Sequence, residues 1–185
     1  AMGTQVIDLE ELACHKGSAF GSLGQPPQPS SEHFSNLLHR QWVRTNDSVP
    51  LWLEDESRNI GTVFMPGEFY RHIQTAPAVI LNMSVEKRMP RLIEEYSRYP
   101  GDQLMNSVLR ISKRLGGDNT LDAINAVDAG DFAKAIEITL KYYDKAYLFS
   151  IRKKPSGNVI YVESDTDDIS INAEKVVKAS QKITW

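Results

Sequence analysis

The chain is short of cysteine, of net charge and of long apolar runs, and each shortage removes a class of function. One cysteine, Cys14, stands among 185 residues. No disulfide can form within the chain, and a cysteine-built metal cage is excluded. A reducing, cytoplasmic setting suits such a composition. No apolar run approaches the ~18 residues of a membrane-spanning helix, and no signal-peptide pattern opens the sequence. The formal net charge is -3, so nothing global advertises a nucleic-acid binder; an RNA partner would need locally gathered cations. His33, His39 and His72 fall in helical stretches without ligand spacing, which speaks against a zinc site or any metal held by protein groups alone. No stretch matches the phosphate loop G-x-x-x-x-G-K-S/T. No internal repeat is present.

What remains is an ordinary soluble composition, 41% hydrophobic and 24% charged, long enough for one domain or one domain with a small appendage. Gln5 to Leu9 reads as a short strand. A polar loop, Leu12 to Gly24, follows, and then a connector, GQPPQPSS, whose prolines forbid helix and central strand. Ser31 to Trp42 carries Phe34, Leu37, Leu38 and Trp42 at helical spacing. Pro50 to Leu53 is a second strand, Pro66 to Gln74 a helix, and Ala78 to Met83 (AVILNM) the most apolar strand, of the kind a parallel sheet buries. Val85 to Tyr99 reads as a helix that Pro90 should kink or restart. Alternating β and α over the first hundred residues predicts an α/β domain with a parallel sheet. The rest reads as helical: Asp102 to Leu115, closed by Gly116-Gly117, then Thr120 to Val127 and Phe132 to Tyr147. A strand at Asn158 to Val162 precedes a last helix, Asn172 to Ile183.

Three clusters could carry chemistry. The opening loop places His15, Lys16, Gly17 and Ser18 after a strand, where backbone N–H groups and a cation can meet an anion. By spacing alone it is first a polar connector and second an anion site. Glu54, Asp55 and Glu56, followed by Arg58, stand at the end of a parallel strand, where α/β folds place ligands. Such acids would face a metal or a basic group, or form a solvated turn with Arg58 as counter-ion. Lys87, Arg88 and Arg91 open a helix at the end whose dipole disfavours cations, which suits an opposing phosphate or plain solubility. Arg110, Lys113 and Arg114, and Arg152 to Lys154, are further cations that could meet an RNA backbone.

Taken together, VIDLEELACHKGSAFG, WLEDESRNIG, VEKRMPRLIEEY, and the later RLGG and KYYDKAY, resemble the bacterial tRNA 2-selenouridine synthases over Val6 to roughly Tyr147. The first stretch is similar to that family's D-L-E-x-x-A-x-H-R/K-G-S-x-F-G pattern. Lys16 stands where arginine is common, which keeps charge but loses the bidentate fork. The resemblance implies an enzyme that converts 2-thiouridine to 2-selenouridine at the tRNA wobble position. It does so through a geranylated sulfur, with geranyl diphosphate and selenophosphate as substrates. It also implies a rhodanese-like domain preceding a kinase-like P-loop core, with ATP or GTP and Mg2+ as possible cofactors. On that reading residues 1–3 are a cloning scar and 4–100 a P-loop-type α/β core truncated at its N-terminus. Residues 101–185 are then a mainly helical part with one strand. The rhodanese domain and phosphate loop would lie elsewhere, and this stretch alone is expected to be inactive.

The resemblance turns the clusters into expectations. His15, Lys16, Gly17, Ser18 and Arg58 would bind phosphate or diphosphate. Glu54, Asp55 and Glu56 would face a metal or substrate, and Arg88, Arg91, Lys113 and Arg114 would contact tRNA or phosphate. A nucleotide-dependent kinase-like enzyme and a non-catalytic tRNA-binding module remain as rival classes.

Overall fold

The structure is a computed structural model that describes residues 3–155 and 158–183. Ala1 and Met2 of the expected scar lie outside the described residues. The chain divides into two compact units, Ala1–Gln74 and Thr75–Trp185.

In the first unit, β1 (Gln5–Val6) pairs in parallel with β2 (Leu51–Trp52), and the Ile7 N–H continues the ladder to the Trp52 carbonyl (3.1 Å). Between them lie α1 (Leu9–Ala13) and α2 (Ser31–Trp42). The sequence hides α1, which at five residues is too short for a helical period. Its signal is the cap: Asp8 Oδ1 accepts from the Glu11 N–H at 2.6 Å, the opening move of a D-x-x-E capping pattern. The Ser30 hydroxyl caps α2 by accepting from the His33 N–H (3.1 Å). A hairpin that periodicity also misses follows, β3 (Asn59–Ile60) and β4 (Val63–Phe64), antiparallel. Its two-residue turn begins with Gly61 at φ +60°, the left-handed first position that such turns demand. Then comes α3 (Gly67–Thr75). Ile7, Leu9, Ala13, Phe34, Leu38, Ile60, Val63, Met65 and Ile73 form the core. Trp42 stays 45% exposed, edge-on to Phe69 with ring centroids 5.6 Å apart.

In the second unit β5 (Ala78–Met83) and β6 (Val159–Ser164) pair in parallel over their whole length. Between them run α4 (Val85–Tyr96), α5 (Gly101–Arg110), α6 (Ser112–Leu115), α7 (Gly117–Asp128) and α8 (Phe132–Ile151). The final α9 (Ile169–Ser180) is capped by Asp168 and packs on both strands. Parallel strands need a long crossover, and here five helices supply it. The expected α/β class with a helical C-terminal part is what the chain adopts, the parallel pairing being present as two strand pairs, β1–β2 and β5–β6.

Two expectations about helices need correction. Pro90 lies inside α4 and does not restart it, because packing of α4 on α8 outweighs the one backbone bond that proline removes. The single helix expected over 102–115 breaks at Ile111, at φ −103° and ψ 3°. Leu104, Val108, Ile111 and Leu115 are nevertheless all buried.

Candidate functional site

The opening loop is held by its own backbone. Cys14 ends α1 in the left-handed conformation, φ 50°, and the His15 N–H bonds the Glu10 carbonyl (3.0 Å). Beyond it the N–H of Lys16 bonds the Gly21 carbonyl (3.0 Å), that of Ser18 the Lys16 carbonyl (2.8 Å) and that of Gly21 the Ser18 carbonyl (2.9 Å). The Phe20 N–H bonds Ser18 Oγ (3.2 Å). The loop therefore spends these backbone donors on itself. Its outward chemistry rests on side chains: Lys16 is exposed, Ser18 half-buried and His15 buried.

Glycines mark where other segments press on this loop. A Cβ on Gly17, which sits at φ +68°, would fall 2.2 Å from Glu56 Oε1. One on Gly21 would meet the His15 ring at 2.8 Å, and one on Gly61 would meet His15 Cδ2 at 2.7 Å. The fold thus gathers two sequence signatures, the H-K-G-S loop and the E-D-E-S-R segment, into direct contact. Gln28 adds the hairpin. Its Nε2 donates to the carbonyls of Ala13 and Ile60 (both 2.9 Å), and its Oε1 accepts from the N–H of Thr62 (2.9 Å). The proline-rich stretch, which reads as a solvated connector, is therefore a cross-link.

Carboxyls converge beside the loop, including two that sequence reasoning passes over, Asp8 and Glu10. Burial, then the nearby Glu56 carboxyl and its hydrogen bond, pushes Glu10 up to about 7; Lys16 pulls weakly the other way. Burial also pushes Glu54 up to about 7, against the lowering effect of the Leu9 N–H, which donates to Glu54 Oε2 at 2.9 Å. Burial raises Glu56 as well, while the hydrogen bond from Glu10 holds it down. The physical picture is a proton on Glu10 donated to Glu56, and Glu54 hydrogen-bonded to Asp8. Among the described residues no group of three or more His, Cys, Asp or Glu side chains is arranged to hold a metal ion. Arg58 is exposed at the entry to the hairpin, its carbonyl accepting from the Met65 N–H (2.9 Å).

The remaining expected residues belong to the other unit. Arg88 donates from Nη1 and Nη2 to the two carboxylate oxygens of Asp144 (2.8 and 2.6 Å), which locks α4 to α8. Arg88 and Arg91 line a cavity of about 560 Å3 whose other walls include Leu81, Met83, Leu92, Leu140 and Val176. Lys113 and Arg114 are exposed, and Arg114 Nη1 donates to the Tyr142 hydroxyl (3.4 Å).

Comparison with known proteins now adds an independent finding. Residues 2–100 match the family model described as the tRNA 2-selenouridine synthase AAA domain. The chain belongs to that family. A tRNA 2-selenouridine synthase of Shewanella frigidimarina is 35% identical over 182 residues, covering 80% of this chain and 49% of the relative. Those of Shewanella piezotolerans and of Shewanella sp. strain MR-7 are 34% and 32% identical, covering 80% and 85% of this chain. The chain spans about half the length of these curated relatives. No solved structure matches. No helix among the described residues is long and apolar enough to cross a membrane.

Proposed function

We propose that this chain supplies the phosphate-handling and tRNA-binding part of a cytoplasmic tRNA 2-selenouridine synthase. Such an enzyme replaces the sulfur of wobble 2-thiouridine by selenium from selenophosphate, after geranylation of that sulfur. The observation that carries the reading is the contact of two separate family signatures, Gly17 lying against Glu56 within the segment that matches the family.

Each residue then has a task. Lys16 brings the charge and the Ser18 hydroxyl a hydrogen bond to a phosphate or diphosphate, with His15 and Gly17 shaping the loop beneath and Arg58 adding a second cation. Acids beside an anion would ordinarily repel it. Carboxyls that keep a proton near neutral pH do not, and Glu10, at about 7, is also suited to move a proton there. Geranyl transfer breaks a carbon–oxygen bond and leaves diphosphate carrying the electron pair, so a fixed cation stabilises the developing charge. In the second unit Arg91 lines a mainly apolar cavity of about 560 Å3 and is left for phosphate or tRNA. Arg88 could serve a phosphate only with its Asp144 pair opened; Lys113 and Arg114 are left for the tRNA backbone. Glu54, Asp55 and Glu56 serve this reading as substrate-facing groups, with Glu54 and Glu56 raised by burial. Glu54 and Glu56 are engaged with Asp8 and Glu10, so these two do not fit the Mg2+ that an ATP or GTP would bring. On this reading the rhodanese-like domain belongs to the half of the relatives' length outside this stretch.

The test is transfer of selenium into tRNA carrying 2-thiouridine, by a protein of the relatives' full length that includes this chain. Lys16→Ala and Arg58→Ala are each expected to abolish geranylation or selenation. Full activity in both variants removes the site assignment, and phosphoryl transfer without selenium incorporation would favour a kinase-like enzyme.

A further inference from the structure

The last turns of α8 are unlike any ordinary surface helix. Every residue from 145 to 150 is exposed, yet Leu148 is 48% and Phe149 62% exposed, in a stretch where apolar side chains should be turned inward. Lys145, Leu148, Phe149 and Arg152 fall at i, i+3, i+4 and i+7, so they share one face. That is the spacing by which a helix ordinarily covers a core, and here it faces solvent. Lys153 Nζ lies 4.4 Å from the centre of the Phe149 ring, close enough for a cation–π contact.

The charge along residues 144–154 is mostly of one sign. Lys145, Arg152, Lys153 and Lys154 are all cations, while the nearby acid, Asp144, is taken by Arg88. In a chain of net charge -3 this is a local positive patch. An exposed aromatic platform rimmed by cations has the chemistry of single-stranded RNA recognition: an unpaired base stacks on the ring while neighbouring phosphates meet the cations. A second copy of this chain would bring like charges together instead.

We propose that the exposed end of α8, centred on Phe149 and flanked by Arg152 and Lys153, docks an unpaired base of a tRNA loop. This rests on the reading of tRNA as substrate and adds to it the surface that takes the loop. Phe149 is the stacking platform, Leu148 widens it, and Lys145, Arg152 and Lys153 hold the backbone on either side.

The test titrates the protein into a fluorescent anticodon stem-loop RNA carrying 2-thiouridine, between about 50 and 200 mM salt. Phe149→Ala should weaken binding about tenfold without changing the dependence on salt, and Phe149→Trp should restore it. Arg152→Gln with Lys153→Gln should lower the slope of log affinity against log salt by about 1.4. Circular dichroism checks that each variant is folded, as expected for side chains so exposed. Wild-type affinity in both sets of variants overturns this surface and leaves the tRNA reading standing. No binding by the wild type at the lowest salt overturns both. Loss of self-association in Phe149→Ala, with RNA affinity intact, makes the face a contact between copies and also overturns the proposal.

Discussion

At the scale of single residues, the carboxyls around the opening loop carry a free-energy consequence. Glu10 and Glu54 rise from an ordinary 4.5 to about 7, so between those values the folded protein holds protons that the unfolded chain has released. Stability contributed by these protons is complete below about 4.5 and is lost as the pH climbs through about 7. Denaturant midpoints should therefore fall from about pH 5 to about pH 8, and the double variant Glu10→Gln, Glu54→Gln should flatten that fall. An equal fall in both proteins would show that the pairs do not hold these protons. Gly17 lies in the same cluster: at a left-handed φ of +68° any side chain there is strained, and the Glu56 carboxyl against it would have to turn aside.

At the scale of elements, the clamp between α4 and α8 is a two-point ion pair within the second unit. The side chains of Arg88 and Asp144 are 30% and 39% exposed, which places the pair between a screened surface bridge and a buried one. With both guanidinium Nη groups engaged, a double-mutant cycle of Arg88→Met and Asp144→Asn should return a coupling of about 1 kcal/mol. A coupling near zero would mean that packing alone joins the helices. Which elements were legible follows from their length. AVILNM stands out as a strand because a continuous apolar run lies between Pro77 and Ser84, and α2 because Phe34 and Leu38 repeat over a capped helix. The α1 helix and the β3–β4 hairpin are too short to show any period. The break at Ile111 is silent, since its apolar stripe continues on both sides. The site was legible as residue types in the loop and in Glu54 to Arg58. The pairing of Glu10 with Glu56 was not, because it depends on the tertiary contact that brings α1 beside the segment after β2. Gln28 was hidden by its prolines, whose chemistry says loop and nothing of what a side chain between them can reach.

At the scale of the whole molecule, two compact units carry different features. The first holds the loop, its acids and most of the family match; the second holds the arginine-lined cavity and the exposed end of α8. The proposed role of the first unit requires that the loop at Lys16 bind a phosphate group. Calorimetric titration with inorganic pyrophosphate asks that question without any turnover. The protein should bind it, and Lys16→Ala should weaken binding at least about tenfold, as expected for loss of a charge-assisted contact. Equal affinity in the two proteins would contradict the account.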